Sequence, residues 1–404
     1  MKRLLIPILS LLLSSFVVNA QTVADALRFS QFGIGGTART VAIGGAIGAF
    51  GADFSTVSTN PAGLGSYTGS EFTMTPSLYL SNVDASLRGG ANSTVGDSKT
   101  NFNFNNIGIV FGKKLDTDRS QWRTSNYSIG INRLANFNEQ ISYSGDSPGS
   151  YIDFFQDVST GLFPQDFNDF DNGLAWDVGA IYDLEEDGFY ETDVELADGA
   201  PISKSQTIER SGSINEVVFS VAGLKGDKFQ IGATLGIPIA SYSEFNVYSE
   251  DDNDVDNVPF FKDMTYTQDL TTTGYGINIK LGVIYRVSQT LRVGGAIHSP
   301  TRIRLSDDFQ TRLVYDFDDG VESGPLEAAS PESTFDYDIR TPWRFLANGG
   351  LLIKRKGFIS AEIEFLNYGG ATFKEPDLPD GTSVNTGFFN DLNQDVSNLS
   401  LIHI

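Results

Sequence analysis

Two histidines, His298 and His403, and no cysteine make up the softer chemistry available to this 404-residue chain. A His-rich metal site and a cysteine nucleophile are therefore out of reach. Serine is plentiful, but none sits in a nucleophile elbow, so one histidine among many Ser and Asp residues does not amount to a triad. Asp252, Asp254 and Asp256 alternate as in a calcium loop, yet Asn257 and Asp263 stand where that chemistry wants glycine and glutamate. A solvated acidic loop is the better reading. The glycines at 33, 35, 36, 44, 45, 48 and 51 superficially suit a dinucleotide fingerprint, but no apolar strand precedes them and no βαβ unit follows. Haem ligation would rest on His298 alone outside the last few residues. The expectation is a protein that is not an enzyme, with no catalytic residue, cofactor or metal.

What remains is apolar recognition. Between residues 144 and 212 the chain carries Tyr151, Phe154, Phe155, Leu162, Phe163, Phe167, Phe170 and Trp176. Exposed apolar patches mark binding sites, so Phe154, Phe155, Leu162, Phe163, Phe167 and Phe170 are expected to capture a ligand on the outer side. The alternative is that they pack a small core of the loop itself.

The elements that must carry this loop are strands. In Tyr275–Tyr285, the residues Tyr275, Ile277, Ile279, Leu281, Val283 and Tyr285 share one face, and Gly276, Asn278, Lys280, Gly282 and Ile284 share the other. Ten residues at roughly 3.3 Å each, tilted by about 45°, rise roughly 23 Å, close to the ~25 Å apolar band of an outer-membrane barrel. Similar outward faces read Phe72/Met74/Leu78/Leu80, Ile107/Ile109/Phe111, Tyr127/Ile129/Ile131, Val217/Phe219/Val221 and Phe229 to Ile239. A seventh strand reads Leu291/Val293/Gly295/Ile297 and continues past Pro300 through Phe309/Thr311/Leu313/Tyr315. An eighth spans about 334–353, and a ninth holds Ile359/Ala361/Ile363/Phe365. Tight turns at Lys225-Gly226-Asp227, Ser288-Gln289 and Lys354-Arg355-Lys356 alternate with long polar stretches near 83–100, 144–212, 246–265, 318–333 and 374–396. Loop length segregated by parity is the transmembrane-barrel pattern. The fold class is thus all-β, an antiparallel transmembrane β-barrel, with helices confined to residues 22–60 and parts of the 144–212 loop. Pro76, Pro238 and Pro300 are candidates for local breaks in the wall.

Residues 1–20 read as a secretory signal, with Lys2-Arg3, the apolar run Leu4 to Val18, and cleavage after Ala20. Its removal takes 28 basic residues to 26 against 51 acidic ones, a charge of 26 − 51 = −25. Such acidity argues against nucleic acid, because each neutralised phosphate needs Lys or Arg. No later apolar run is long enough for a membrane-spanning helix. Together these features place the protein in a bacterial outer membrane, as a monomeric barrel among lipid and lipopolysaccharide.

The segment 21–69 is rich in Ala, Gly and Ser and reads as a plug in the barrel lumen, ahead of a barrel domain at 70–404. Here Ala26-Leu-Arg-Phe-Ser-Gln31, Gly36-Thr-Ala-Arg39, Gly44-Gly-Ala46 and Asn60-Pro-Ala-Gly63 stand together. With His298-Ser-Pro-Thr301 and Thr341-Pro-Trp-Arg344, this resembles the FadL/TodX family of hydrophobic-compound transporters, particularly its Bacteroidetes-type members, over about residues 21–397. The resemblance implies a fourteen-stranded barrel plugged by an N-terminal hatch, and passive uptake of hydrophobic small molecules such as long-chain fatty acids or aromatic hydrocarbons. Phe29, Phe32, Asn60, Pro61, Ala62 and Gly63 would then form the hatch and its latch, since proline stiffens a turn that the asparagine side chain can hold. A static plug is the alternative. A rival function is a barrel serving as shuttle or scaffold in protein secretion. Nine strands are odd in number and five short of fourteen, and Leu399-Ser-Leu-Ile-His-Ile404 ends on no aromatic. The expectation is that the barrel continues beyond this sequence and that its last six residues are foreign to it, which a natural stop codon after Ile404 in the genome would refute.

Overall fold

The computed structural model describes residues 23–88, 93–116, 120–197, 199–252, 258–353, 356–374 and 402–403. The leader, most of the 374–396 stretch, Asp254, Asp256, and the side chain of His403 lie outside the described residues. Two short helices, α1 (Val23–Arg28) and α2 (Ala38–Ala42), precede the wall. The wall opens with β1 (Glu71–Ala85), β2 (Val95–Lys114), β3 (Trp122–Asn136) and β4 (Glu139–Ser147). Two helices follow, α3 (Ile152–Ser159) and α4 (Asn172–Asp177). Then come the long strands β5 (Ile202–Lys225), β6 (Phe229–Asp251) and β7 (Phe261–Arg286). The remainder is β8 (Leu291–His298), β9 (Arg302–Phe317), β10 (Leu326–Ala329), β11 (Ser333–Arg340), β12 (Arg344–Ile353), β13 (Gly357–Asn367), β14 (Thr372–Lys374) and β15 (Ile402–His403).

All pairings are antiparallel, within one 15-stranded sheet. β3–β4, β8–β9, β11–β12 and β13–β14 are each a single crossing interrupted by a few residues. The crossings β1, β2, β3–β4, β5, β6, β7, β8–β9, β11–β12 and β13–β14 correspond one by one to the strands expected from the sequence. Among the described residues the sheet is not closed on itself. The tight turns lie at one end, with Lys225 paired to Phe229, Arg286 to Arg292 and Ile353 to Gly357. At the other end the strands run much further than expected. β5 and β6 stay paired to Ser203↔Asp251, and β6 and β7 to Asp251↔Asp263, inside stretches read as loops. The reason is a polar alternation, such as Thr265, Thr267, Asp269, Thr271 and Thr273 on β7, which suits a strand with water outside.

Outward residues of the lower wall are apolar and exposed, including Phe72, Ile129, Ile231, Tyr275, Ile279 and Phe365, whereas inward ones are polar and buried, including Asn126, Glu216, Asn278, Lys280 and Asn348. That inside-out distribution suits lipid outside and a packed polar lumen. Higher up, three neighbouring crossings break side by side, at 299–301, 341–343 and 368–371. The two quoted signatures meet here, Thr301 N–H donating to Thr341 Oγ1 (2.9 Å) and Thr341 N–H donating to the Thr301 carbonyl (2.9 Å).

At this seam the alternation slips by one. Below it the odd residues of β8, β12 and β13 face outward, among them Ile297, Phe345 and Phe365. Above it the odd residues of β9, β11 and β14 are buried, among them Ile303, Leu305, Tyr337, Ile339 and Phe373. The expected outward face Phe309/Thr311/Leu313/Tyr315 is therefore corrected. Thr311, Leu313 and Tyr315 are buried and Phe309 is half-buried, because the irregular Ser299-Pro300-Thr301 changes which side the odd residues take. Pro300 thus breaks its strand and Pro76 sits at a register shift. Pro238 stays paired with Glu216 on β5, and only the β6–β7 ladder skips it.

Above the seam the wall obeys the ordinary rule, with Arg302, Arg304 and Arg312 outside and an apolar core inside. There α3 and α4 pack on β7 and β9 through Ile152, Phe155, Leu174, Ala175, Tyr266, Leu313 and Tyr315. The helix α3 buries Ile152, Phe155 and Ser159, one face at helical spacing. Glu250, near the top of β6 and above the apolar band, is fully covered by this cap. It accepts hydrogen bonds from Tyr151 N–H and Tyr248 Oη (2.7 Å each) and from Ser150 Oγ. Burial raises its carboxyl above the ordinary value, against the pull of these donors and of Lys204.

Because the docked cap favours protonated Glu250, its contribution is complete below the ordinary pKa of about 4.5 and is lost as pH rises through the raised value. Protease protection of the 150–194 segment should therefore weaken as pH is raised from 4.5, and E250Q should flatten that profile. An unchanged profile in E250Q would remove Glu250 as the cause.

Candidate functional site

Residues 23–69, the described part of the segment expected to form a hatch, meet the inner face of the wall through the Asn-Pro-Ala-Gly turn. Asn60 Oδ1 accepts from Ala62 N–H (3.2 Å), capping a 3₁₀ turn over Pro61–Ser66 with proline at its first position. The same side chain reaches three other elements. Its Nδ2 donates to the carbonyls of Gly48 (3.0 Å) and Val283 (3.2 Å) and to Asn348 Oδ1 (3.0 Å). Asn348 in turn donates to Glu362 Oε2 (2.7 Å), which also accepts from Gly48 N–H (3.3 Å). Asn60 is 0% exposed, so no water replaces these bonds. Pro61, Ala62 and Gly63 are buried with it.

Such close approach needs wall positions without side chains. A Cβ on Gly282 would lie 2.1 Å from Asn60 Oδ1, and one on Gly232 would lie 2.3 Å from the Pro61 carbonyl oxygen. The glycine on the inner face of Tyr275–Tyr285 is thus a seat for the hatch. Beside it, Glu216 is 0% exposed and accepts from Lys280 Nζ, Asn278 Nδ2 (3.0 Å) and Ser58 Oγ (3.0 Å). A buried carboxylate needs such partners, and removing one member of a pair of this kind costs about 3–5 kcal/mol. His298 Nε2 donates to the Thr59 carbonyl (2.7 Å), tying this wall residue to the hatch.

Between hatch and wall lies a cavity of about 690 Å³, lined by Phe32, Ile34, Tyr79, Leu134, Phe137 and Leu366 together with Arg28, Arg133, Arg210 and Arg344. The Arg344 guanidinium sits 4.7 Å from the centre of the Phe32 ring. Phe29 does not line this space. It is buried edge-on to Phe137, with ring centres 6.2 Å apart, and Phe137 stands 5.4 Å from Tyr242.

A second space of about 370 Å³ opens where the wall is incomplete. β2 pairs with β3 only from Asn106↔Asn132 to Lys114↔Thr124. Further up, β3 bends with a register shift at 133–135 and hands over to β4, leaving β2 without a ladder partner on that side among the described residues. Gly212, at φ +115°, accepts from Phe137 N–H (3.0 Å) at the bend, where only glycine takes such a backbone easily. Phe102, Phe104, Ile107, Ile131, Asn103, Asn138 and Ser213 surround the gap. At its upper edge Asp97 bridges to Ser142 N–H (2.6 Å) and Gln140 Nε2 (3.2 Å). Arg133 lines both spaces and has no hydrogen-bond or acidic partner among the described residues.

The six aromatic-loop residues are not brought together as one groove. Phe155 is buried in the cap core, so for it the small-core alternative holds. Phe167 packs between Trp176 and Tyr190, Phe170 stacks on Phe309 at 5.6 Å, and Leu162 is half-buried. Phe154 and Phe163 remain exposed. None of the six lines either space. Sequence reasoning missed Arg133, the Glu216–Lys280 pair and the Asn348–Glu362 pair. The charged residues on inward positions of apolar-faced strands were the available signal.

No family model matches this chain, and no curated protein does. Among solved structures it is similar to a monoaromatic hydrocarbon channel, CymD, at 12% identity, covering 85% of this chain and 72% of that one with a TM-score of 0.41. It is also similar to the Pseudomonas putida toluene transporter TodX, at 11% identity, covering 86% and 74% with a TM-score of 0.40.

Overfilling the hatch seat separates this geometry from a loosely held plug. G282V should cost about 1–3 kcal/mol by pushing on Asn60 and Pro61, seen as a lower denaturation midpoint and faster proteolysis of the hatch. G349A, where a Cβ meets nothing within 4 Å, should leave both unchanged. Equal behaviour of the two variants would contradict the seat.

Proposed function

We propose that this chain is part of an outer-membrane channel for passive uptake of hydrophobic small molecules, such as long-chain fatty acids or aromatic hydrocarbons. The observation that carries this reading is the gap between β2 and β3–β4, which shares Asn103, Arg133 and Asn138 with the lumen cavity and carries Phe102, Phe104, Ile107 and Ile131 of the apolar outer face. Polar groups at Asn103, Arg133, Asn138 and Ser213 share the gap with these apolar side chains, which offer a lipophile contact toward the apolar outer face. The name-level counterpart of this reading is that CymD and TodX are called a hydrocarbon channel and a toluene transporter.

In this account ligand meets the exposed Phe154 and Phe163 outside, enters the cavity beside Phe32, and leaves past Arg133 through the gap. Phe29, Asn60, Pro61, Ala62 and Gly63 hold the hatch against the wall. Asn60 is the latch, because one side chain ties the turn to two hatch-and-wall junctions at once.

Filling the gap tests this. In cells expressing the full-length gene, N103W combined with S213W should bring uptake of toluene or of a long-chain acid down to the rate of cells lacking the protein. N60A should alter uptake by loosening the hatch. Undiminished uptake in the filled variant would reject the side route, and unchanged uptake of every tested lipophile in N60A would reject the latch.

A further inference from the structure

The slip at the seam turns a set of cations toward the outside of the wall. In register across β7, β9, β11 and β14, the outward rows read Ile277–Arg302–Arg340–Thr372 and Tyr275–Arg304–Asp338–Lys374. The Arg302 and Arg304 side chains are 51% and 49% exposed, and both lean on Asp338, at 2.5 and 3.4 Å. Arg340 is exposed and has no acidic partner among the described residues. Such clustering is unexpected on a chain with 28 basic and 51 acidic residues. The lipid-facing surface just below it is apolar, with Ile279, Ile297, Trp343, Phe345 and Phe365 exposed and the Trp343 and Phe345 rings stacked at 6.4 Å.

We propose that this face is a binding site for a phosphorylated glycolipid of the outer leaflet, the lipid A part of lipopolysaccharide. The proposal rests on reading the lower wall as membrane-spanning. Guanidinium groups take phosphate in a paired, planar geometry that an ammonium cannot match. Asp338 holds the Arg302 and Arg304 guanidiniums side by side, with both side chains about half exposed. Tyr275, level with Arg304, marks the interface where headgroups begin. The acyl chains of the same molecule would lie on Trp343, Phe345 and Phe365, so charge and apolar surface are stacked in the order that one amphiphile presents them. A free anion would use only the upper half of this surface. An acidic protein partner would have to reach over a rim that sits against the bilayer.

The test uses the full-length protein in bilayer nanodiscs containing either bis-phosphorylated lipid A or its dephosphorylated form. Native mass spectrometry should show lipid A retained by the wild type. Retention should fall on the order of a hundredfold in the R302Q/R304Q/R340Q variant and with the dephosphorylated lipid. R340Q alone, which breaks no ion pair among the described residues, should show a partial loss and guards against misfolding of the triple variant. Equal retention by all three proteins would overturn the proposal. So would displacement of the lipid by inorganic phosphate at matched concentration, which would mark a soluble-anion site, or retention of an acidic polypeptide in place of lipid. Failure of the wild type to insert into any bilayer would instead overturn the membrane reading beneath it.

Discussion

The constraint on which this structure depends is that the outer face of the wall changes from apolar to polar partway along its long strands. Below Tyr275 and the seam, the outer face is apolar and the inner face polar, the arrangement that lipid outside would require. Above them, the outer face must satisfy water and the inner face can pack as an ordinary core. β7 meets both demands with one unbroken alternation, by exchanging Tyr, Ile and Val for Thr and Asp on its outward side. β8–β9, β11–β12 and β13–β14 meet them by breaking and shifting phase, with Pro300 and Pro342 in two of the breaks. Proline cannot donate to a ladder, so it fits at such an interruption and nowhere else in these crossings.

The hatch is a consequence of the polar inner face. In a lumen lined by Glu216, Asn278, Lys280, Asn348 and Glu362, the wall pairs Lys280 and Asn278 with Glu216, while Ser58, Asn60 and the Gly48 amide of the hatch bond Glu216, Asn348 and Glu362. Close fit is obtained by removing side chains on both sides, at Gly232 and Gly282 of the wall and at Gly35 and Gly48 of the hatch. A plug held this way moves only if several buried hydrogen bonds move together. In the proposed uptake role, that favours escape of cargo around the hatch, through the gap beside Arg133, over expulsion of the hatch itself.

Much of this was legible beforehand, and the limits have physical causes. Period-two alternation identified eight of the nine crossings, because an apolar outer face and a polar inner face repeat at every second residue, and the eighth was read as the span 334–353. Pro300 announced a break, but a break does not reveal how many residues it consumes, so the phase of Phe309 to Tyr315 was misjudged. The polar alternation above the band resembles a loop in composition, which hid the length of β5, β6 and β7. Asn60 was recognisable as a cap from Asn-Pro alone, whereas its partners Val283 and Asn348 lie more than 200 positions away in sequence. Phe155 shares a helical face with Ile152 and Ser159, a signal for burial that the count of aromatics obscured.

The most direct measurement of the account is a cysteine scan along the outward positions of β7, in a chain that has no cysteine of its own. Single cysteines at 283, 281, 279, 277, 275, 273, 271 and 269, each carrying a nitroxide in the reconstituted full-length protein, report accessibility to lipid-dissolved oxygen and to an aqueous relaxing agent. The account predicts oxygen-dominated relaxation from Val283 to Tyr275 and an abrupt change to the aqueous agent from Thr273 onward. Uniform aqueous accessibility along the whole strand would contradict it.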